Sequence, residues 1–206
     1  MERALDVRSA GLKRAFAAIA IVLLWLAMLL LGGGPLDRGV YEALYAGSSP
    51  ALVGAARVLT AFGEPTVLVV ASLLCALFLW RMKRLRLGLM LLAVTLAGRG
   101  LAEAQKYWIA RARPALEPHL VVVKTSSFPS GHATSSMIFY LTLALVLSAG
   151  TRWQRVAAAC AVVLSLLVGL SRVMLGVHWP SDVIGGWAFG LLWVLLALPL
   201  AERPFR

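Results

Sequence analysis

Long apolar stretches separated by short polar or basic segments dominate the chain. The first runs without a charge from Ala15 to Leu36, behind a start that carries Arg3, Arg8, Lys13 and Arg14. A positive start before an apolar run also describes a signal peptide, but this run is too long and Gly32-Gly33-Gly34-Pro35 is not a cleavage site. About 20 apolar residues cross the hydrocarbon of a bilayer. On that measure the pattern predicts spans at about 15–35, 64–81, 87–108, 131–149, 155–172 and 181–200. Residues 51–62 are apolar except for Arg57 and Thr60, which predicts an interfacial helix before the second span. Gly63-Glu64-Pro65 then reads as a helix start, because proline suits the first helical position. The rest of 37–64 reads as a mixed connection broken at Gly47-Ser48-Ser49-Pro50. The expected fold is all-α and polytopic, a bundle of six transmembrane helices forming a single domain over residues 1–206.

Composition supports the membrane reading. The chain is 61% hydrophobic and 14% charged, with a mean hydropathy of +0.85, so much of its surface faces lipid. A net charge of +11 raises the question of nucleic acid. In a chain this apolar, excess Lys and Arg mark cytoplasmic loops and anionic lipid contacts instead, and no nucleic-acid partner is expected. Cys75 and Cys160 both lie inside apolar runs and read as small hydrophobes, without disulfide or metal-ligand spacing.

Charge also predicts orientation. With both termini cytoplasmic, the cytoplasmic segments hold Arg3, Arg8, Lys13, Arg14, Arg81, Lys83, Arg84, Arg86, Arg152, Arg155, Arg203 and Arg206, twelve of the 20 Lys and Arg. Of the remaining eight, Lys106, Arg113 and Arg172 have chemical work in prospect, which leaves twelve against five. Trp80, Trp108, Trp153 and Trp179 sit near span ends, as interfacial aromatics do. Gly186 and Gly190 have the spacing that lets helices approach closely.

Polar residues at the edges of the apolar runs carry the chemistry. In Ser171 to Asp182, His178 and Asp182 are four apart and face one side of a helical turn. A carboxylate behind an imidazole fixes its tautomer and makes the other nitrogen a better base or nucleophile. Arg172 beside them points to an anionic target, phosphate above all. In the third run Arg99, Glu103 and Lys106 share one face, where ionisable groups are costly and therefore functional candidates. Arg99 and Glu103 read as a mutually neutralising pair, which leaves Lys106, with Arg113 two turns further along the same face. Pro129-Ser130-Gly131-His132 opens the fourth run and offers free backbone N–H groups at a helix N-terminus, an anion seat. In the six-span topology these stretches all fall on the face opposite the basic loops.

Lys106 with Arg113-Pro114, Pro129-Ser130-Gly131-His132, and Ser171-Arg172 with His178 and Asp182 together resemble the three-part signature of the type 2 phosphatidic acid phosphatase superfamily. The parts occur in order and without departure. The six-span layout is similar to that of the family's integral-membrane members, and the chain is too apolar and short to look like the soluble haloperoxidases of the same superfamily. The resemblance implies a lipid phosphate phosphatase in a membrane, the bacterial inner membrane by its type, with no cofactor and no metal. His178 is then the nucleophile that forms a phosphohistidine, Asp182 orients it, and His132 is the general acid and base. Lys106, Arg113, Ser130, Gly131, Ser171 and Arg172 bind phosphate. Its partners are the lipid phosphate and the surrounding membrane lipids.

Blander roles compete at several positions. His119 reads as an interfacial histidine, Arg111 and Lys124 as headgroup contacts or solvated loop charges, and Ser135 and Ser136 as packing residues. Ser171 either contacts phosphate, as the resemblance implies, or hydrogen-bonds the helix backbone. Two histidines and an aspartate have the donors for a metal, but the converging cations repel one. An anion or lipid transporter using the same cations is the alternative function, yet it has no use for the His178–Asp182 pair. Undecaprenyl diphosphate, phosphatidylglycerol phosphate, phosphatidate and lipid A phosphates all suit the cationic cluster.

Overall fold

A computed structural model describes the backbone of residues 2–201 and the side chains of 11–197; Arg3, Arg8, Arg203 and Arg206, used above for orientation, lie outside the described side chains. The described chain is helical, in the order α1 (Glu2–Leu31), α2 (Pro35–Leu44), α3 (Pro50–Ala61), α4 (Pro65–Arg81), α5 (Leu85–Ile109), α6 (Gly131–Leu147), α7 (Gln154–Met174) and α8 (Pro180–Ala201). Proline opens α2, α3, α4 and α8, where its missing N–H leaves no intrahelical bond unmade.

Helix α6 sits at the centre, packed on α4, α5, α7 and α8, and most of its side chains are buried. A helix apolar on every side belongs inside. Met137, Ile138 and Leu141 pack with Val94 of α5 and Val194 of α8, while Phe139 packs with Leu68 of α4 and Leu91 of α5. Around this core, large apolar side chains such as Leu23, Leu73, Phe78, Leu89 and Val163 point outward, as in a bundle whose solvent is lipid.

By length and composition, Gly11–Leu31, Leu85–Ile109, Gln154–Met174 and Pro180–Ala197 are able to cross a membrane. The pair Pro50–Ala61 and Pro65–Arg81, bent by 40°, makes a fifth if it is one broken span. Helix α6 has 17 residues, about 26 Å at 1.5 Å per residue, slightly under the hydrocarbon thickness. Each expected span thus has a helix in its place, but length and composition support four or five crossings rather than six.

Other expectations change in detail. The first span ends at Leu31, and a helix not anticipated in the mixed connection, α2, follows a turn at Gly33. Asp37 closes that turn by accepting from Gly33 N at 2.8 Å. The interfacial helix expected before the second span is α3, capped by Ser49. Trp80, Trp108 and Trp153 are exposed at helix ends, but Trp179 is buried against Tyr41, so it belongs to the core rather than to an interfacial belt. No ion pair joins Arg99 to Glu103 among the described residues; Glu103 is exposed, and an Nη1 of Arg99 is buried without a partner. The close α6–α8 approach does occur at both glycines: a Cβ on Gly186 would lie 2.9 Å from Ser130 O, and one on Gly190 2.9 Å from Met137 Cβ.

The two ends of the bundle differ. Arg14, Arg84, Arg86 and Gln154 line a cavity of about 570 Å³, so the early turns of α1 and α5 and the start of α7 share one end. The far end of α5, the start of α6 and the α7–α8 turn share the other.

Candidate active site

Helix α5 delivers Lys106 in its last turn, where it is 5% exposed. Its Nζ donates to Ser126 O at 2.7 Å, and the Ser126 hydroxyl donates back to Lys106 O at 2.7 Å. This reciprocal pair folds the 110–130 loop onto the end of α5. The loop then carries Arg113 inward, with Nε donating to Thr125 O at 2.8 Å and Nη1 to Val177 O at 2.6 Å.

The same Nη1 lies 3.1 Å from His178 Nε2. A guanidinium only donates, so Nε2 must present its lone pair. The proton of the neutral ring then sits on Nδ1, which is 3.4 Å from Asp182 Oδ2. The geometry therefore selects the tautomer that leaves Nε2 nucleophilic. Burial, then Arg113, Lys106 and Arg172 in that order, push His178 well below its ordinary pKa, with an opposing contribution from Ser127. Arg113 is also pushed down by its burial, and Asp182 acts against that.

His178 is held by the turn between α7 and α8. Gly176, at φ +77°, makes the turn, and a Cβ there would meet Tyr45 Cε2 at 2.9 Å and Tyr41 Oη at 3.1 Å, so conformation and space both require glycine. Asp182, fully buried, accepts from Trp179 N at 2.9 Å, from the Ser127 hydroxyl, and from Arg111 Nη1 at 2.8 Å. Arg111 also donates to Met28 O and Leu29 O of α1, and its guanidinium lies 4.3 Å over the Phe128 ring. The reading of Arg111 as a headgroup contact or loop charge is therefore corrected: it is the partly buried counter-ion of Asp182.

Ser130 N donates to Asp182 O at 2.9 Å, a backbone bond that ties the start of α6 to the start of α8. Ser130 is the N-cap of α6 but makes no side-chain capping bond, and its Oγ is buried without a partner. Gly131 presents its bare backbone to Lys106: a Cβ there would lie 3.6 Å from Lys106 Cε. His132 Nε2 faces Glu64 Oε2 at 3.3 Å. Arg172, 5% exposed, donates from Nη1 to Thr60 Oγ1 at 2.7 Å, and its buried Nε has no partner. Buried polar atoms are rarely left unmatched, so the orphaned Ser130 Oγ and Arg172 Nε mark a place for an acceptor-rich ligand.

The structure thus brings Lys106, Arg113, Ser130, Gly131, His132, Arg172, His178 and Asp182 to one end of the bundle. Ser171 is next to Arg172, but its hydroxyl donates to Val168 O at 2.6 Å, which is the backbone role. His119 binds Pro114 O at 2.8 Å and Lys124 is exposed, both in the loop. The partners that sequence reading missed are Arg111, Ser127, Thr60 and Glu64, together with Asp37, which accepts from Ser181 N at 2.8 Å and Ser181 Oγ at 2.6 Å. Arg111 and Ser127 stand two and three residues before the predicted site residues Arg113 and Ser130, whereas Thr60, Glu64 and Asp37 lie far from the site in sequence. Among the described residues, no group of three or more His, Cys, Asp or Glu side chains is placed to hold a metal ion.

Comparison with known proteins gives a match to the PAP2 superfamily over residues 85–206. Phosphatidylglycerophosphatase B of Bacillus subtilis is 38% identical over 120 residues, 56% of this chain and 59% of that protein. An undecaprenyl-diphosphatase of Sulfolobus acidocaldarius is 33% identical over 138 residues, 64% of this chain and 62% of that protein. The chain thus matches about three fifths of the length of these relatives. The crystal structure of a transmembrane PAP2-type phosphatidylglycerolphosphate phosphatase from Bacillus subtilis superposes with a TM-score of 0.80 at 28% identity, covering 93% of this chain and 100% of that one.

Proposed function

This chain belongs to the PAP2 superfamily, and from that membership we propose that it is an integral-membrane phosphatase that hydrolyses a lipid phosphate or diphosphate through a phosphohistidine. The observation that carries the reading is the His178 ring held between Asp182 Oδ2 on Nδ1 and Arg113 on Nε2, with Lys106 and Arg172 beside it. A dianionic phosphate arriving there would draw Arg113, Lys106 and Arg172 onto its oxygens and uncover the Nε2 lone pair. The Gly131 N–H and the Ser130 hydroxyl are placed to share the charge of the equatorial oxygens.

In the first step Nε2 of His178 attacks phosphorus and the bond to the leaving oxygen breaks. His132 gives that oxygen its proton, and the lipid alcohol or lipid phosphate departs. In the second step the now neutral His132 takes a proton from water, the water oxygen attacks phosphorus, and the N–P bond breaks. Inorganic phosphate leaves, with both histidines restored. Asp182 stabilises the positive charge that the His178 ring takes on while Nε2 is bonded to phosphorus. The cationic lining repels a divalent ion while placing positive charge where one would act, which supports a metal-independent reaction.

The topology is part of the proposal. Six crossings, with the bent α3–α4 pair and the short α6 each contributing one, put both termini on the cytoplasmic side and the site at the outer face of an inner membrane. The arginines at the opposite end and the twelve-to-five distribution of Lys and Arg support that orientation. The relatives' named substrates are a glycerophospholipid phosphate and a polyprenyl diphosphate, which share only a phosphate on a lipid.

Purified protein in detergent is expected to release phosphate from phosphatidylglycerol phosphate or undecaprenyl diphosphate with a chelator present. Substrate labelled in its transferred phosphate should label the protein in an acid-labile form that disappears in His178→Ala. A requirement for a divalent ion, or a label that survives His178→Ala, overturns the mechanism.

A further inference from the structure

The corner between α3 and α4 touches the site twice although it lies outside the three motif stretches. Thr60 accepts from Arg172, and Glu64 reaches His132. The corner is firmly seated: Gly63 N donates to Thr60 O at 2.9 Å, and the Tyr140 hydroxyl of α6 donates to Phe62 O at 2.7 Å. A Cβ on Gly63 would collide with Val168 Cγ1 at 2.2 Å and touch His132 Cβ at 3.4 Å. Glu64 occupies the N-cap of α4, where a side-chain oxygen ordinarily accepts from the first N–H groups of its helix. It makes no such bond, and its carboxylate turns to the imidazole instead.

His132 needs that carboxylate. Lys106 faces it from α5, Arg113 from the following loop, Arg172 from α7 and His178 from the α7–α8 turn. The other carboxylates nearby are engaged or set aside. Asp182 is paired to Arg111, and exposed Glu103 lies behind Gly131, 3.9 Å from where a Cβ of that residue would be. Burial first, and then the three cations, disfavour an imidazolium in an empty site, and a bound phosphate or a local carboxylate is what works against both.

The two histidine–carboxylate pairs differ in burial. His178 and Asp182 have 2% and 0% side-chain exposure, a permanent pair. His132 and Glu64 have 13% and 50%. A half-exposed carboxylate regains its hydration when displaced, so it yields readily. It also occupies the face of Nε2 from which a leaving oxygen would take a proton.

We propose that Glu64 is a positioning residue that holds His132 protonated and turned into the cleft while the site is empty, and that the leaving oxygen of the substrate displaces it. The inference rests on the reading of His132 as the general acid. Glu64 then acts on the free enzyme and not on the enzyme–substrate complex, and kinetics separate the two: the pH profile of kcat/KM reports groups of the free enzyme, that of kcat those of the complex.

The experiment compares both profiles for wild type, Glu64→Gln, Glu64→Ala, Glu64→Asp and His132→Ala, using one short-chain lipid phosphate in micelles so that its ionisation contributes equally. Thermal unfolding confirms that each variant is folded. Glu64→Gln and Glu64→Ala should move the alkaline limb of kcat/KM down by roughly half to one pH unit, the low end of what an opposite charge produces, because Glu64 is half exposed. The kcat limb should stay in place, and Glu64→Asp should recover part of the shift. An unmoved kcat/KM limb, or an equal displacement of both limbs, overturns the proposal. If His132→Ala keeps the wild-type rate and limb, the acid assignment itself fails. If it loses them while Glu64→Gln behaves as wild type, only the role of Glu64 fails.

Discussion

Arg111 Nη1 lies 2.8 Å from Asp182 Oδ1, on the side of the carboxylate away from His178. The group that orients the nucleophile is therefore held in turn by a cation, whose other side-chain hydrogen bonds reach α1 and the Ser181 hydroxyl. Removing Arg111 leaves a fully buried carboxylate without its counter-ion. Loss of one member of a buried pair destabilises by about 3–5 kcal/mol. Arg111→Ala should show this as a marked fall in unfolding temperature in detergent, and Arg111→Lys should recover only part of it, because a single ammonium cannot reach Asp182 and both α1 carbonyls. Wild-type stability in Arg111→Ala would contradict the pairing.

Arg113 tests the other side of His178. Arg113→Lys keeps the charge but loses the fork that spans Thr125 O, Val177 O and His178 Nε2. The expected result is a fall in kcat/KM of about 100-fold, the scale of losing one oriented donor to a transition-state oxyanion. Steady-state kinetics on a lipid phosphate provide the check. Near-normal activity would mean that charge alone suffices.

The lowered pKa of His178 makes stability depend on pH. The unfolded ring takes up a proton near pH 6.5, whereas the folded ring, buried and faced by Arg113, Lys106 and Arg172, takes it up only at lower pH. Between the two values the unfolded chain binds more protons. Stability is thus fully present above about pH 6.5 and falls as pH drops toward the folded value. The slope contributed by one such group is at most about 1.4 kcal/mol per pH unit. Unfolding measured between pH 5 and 7 should show a shallower slope in His178→Gln than in wild type; parallel slopes would place the acid sensitivity elsewhere.

Asp37 links the α1–α2 turn to the start of α8 through Gly33 N, Ser181 N and Ser181 Oγ. Asp37→Ala leaves the buried Ser181 donors without that acceptor, at a cost of about 1–3 kcal/mol for an unsatisfied buried group. A lower unfolding temperature is expected, with the kcat of the remaining folded enzyme near wild type because Asp37 does not touch the catalytic side chains. A lost kcat at full stability would show that the turn does more than anchor α8.

Legibility in the sequence followed the range of the signal. The apolar runs located α1 and α4 to α8 because lipid selects composition over a whole helix, and His178–Asp182 was readable because four residues make one helical turn. Helix α2 escaped because ten residues of mixed polarity carry no spanning pattern, and its stability comes from Asp37 and buried Tyr41. Arg111 escaped because its partner is 71 residues away, and an arginine two positions from another in a loop looks like any solvated charge. Thr60 and Glu64 sit where one predicted helix ends and the next starts, and that pattern announces the helices but not what their side chains touch. Trp179 matched an interfacial tryptophan in position, and only packing against Tyr41 showed that it is core.

The backbone bond from Ser130 N to Asp182 O makes the first turns of α6 and α8 a common ruler. His132 is two residues beyond one end of it, and His178 four residues before the other. Their separation is therefore set by main-chain geometry, not by how the outer helices settle in a particular bilayer. Drift in the lipid-facing positions is free to retune how the bundle sits in its membrane, while the distance a proton donor must keep from a nucleophile stays calibrated from within.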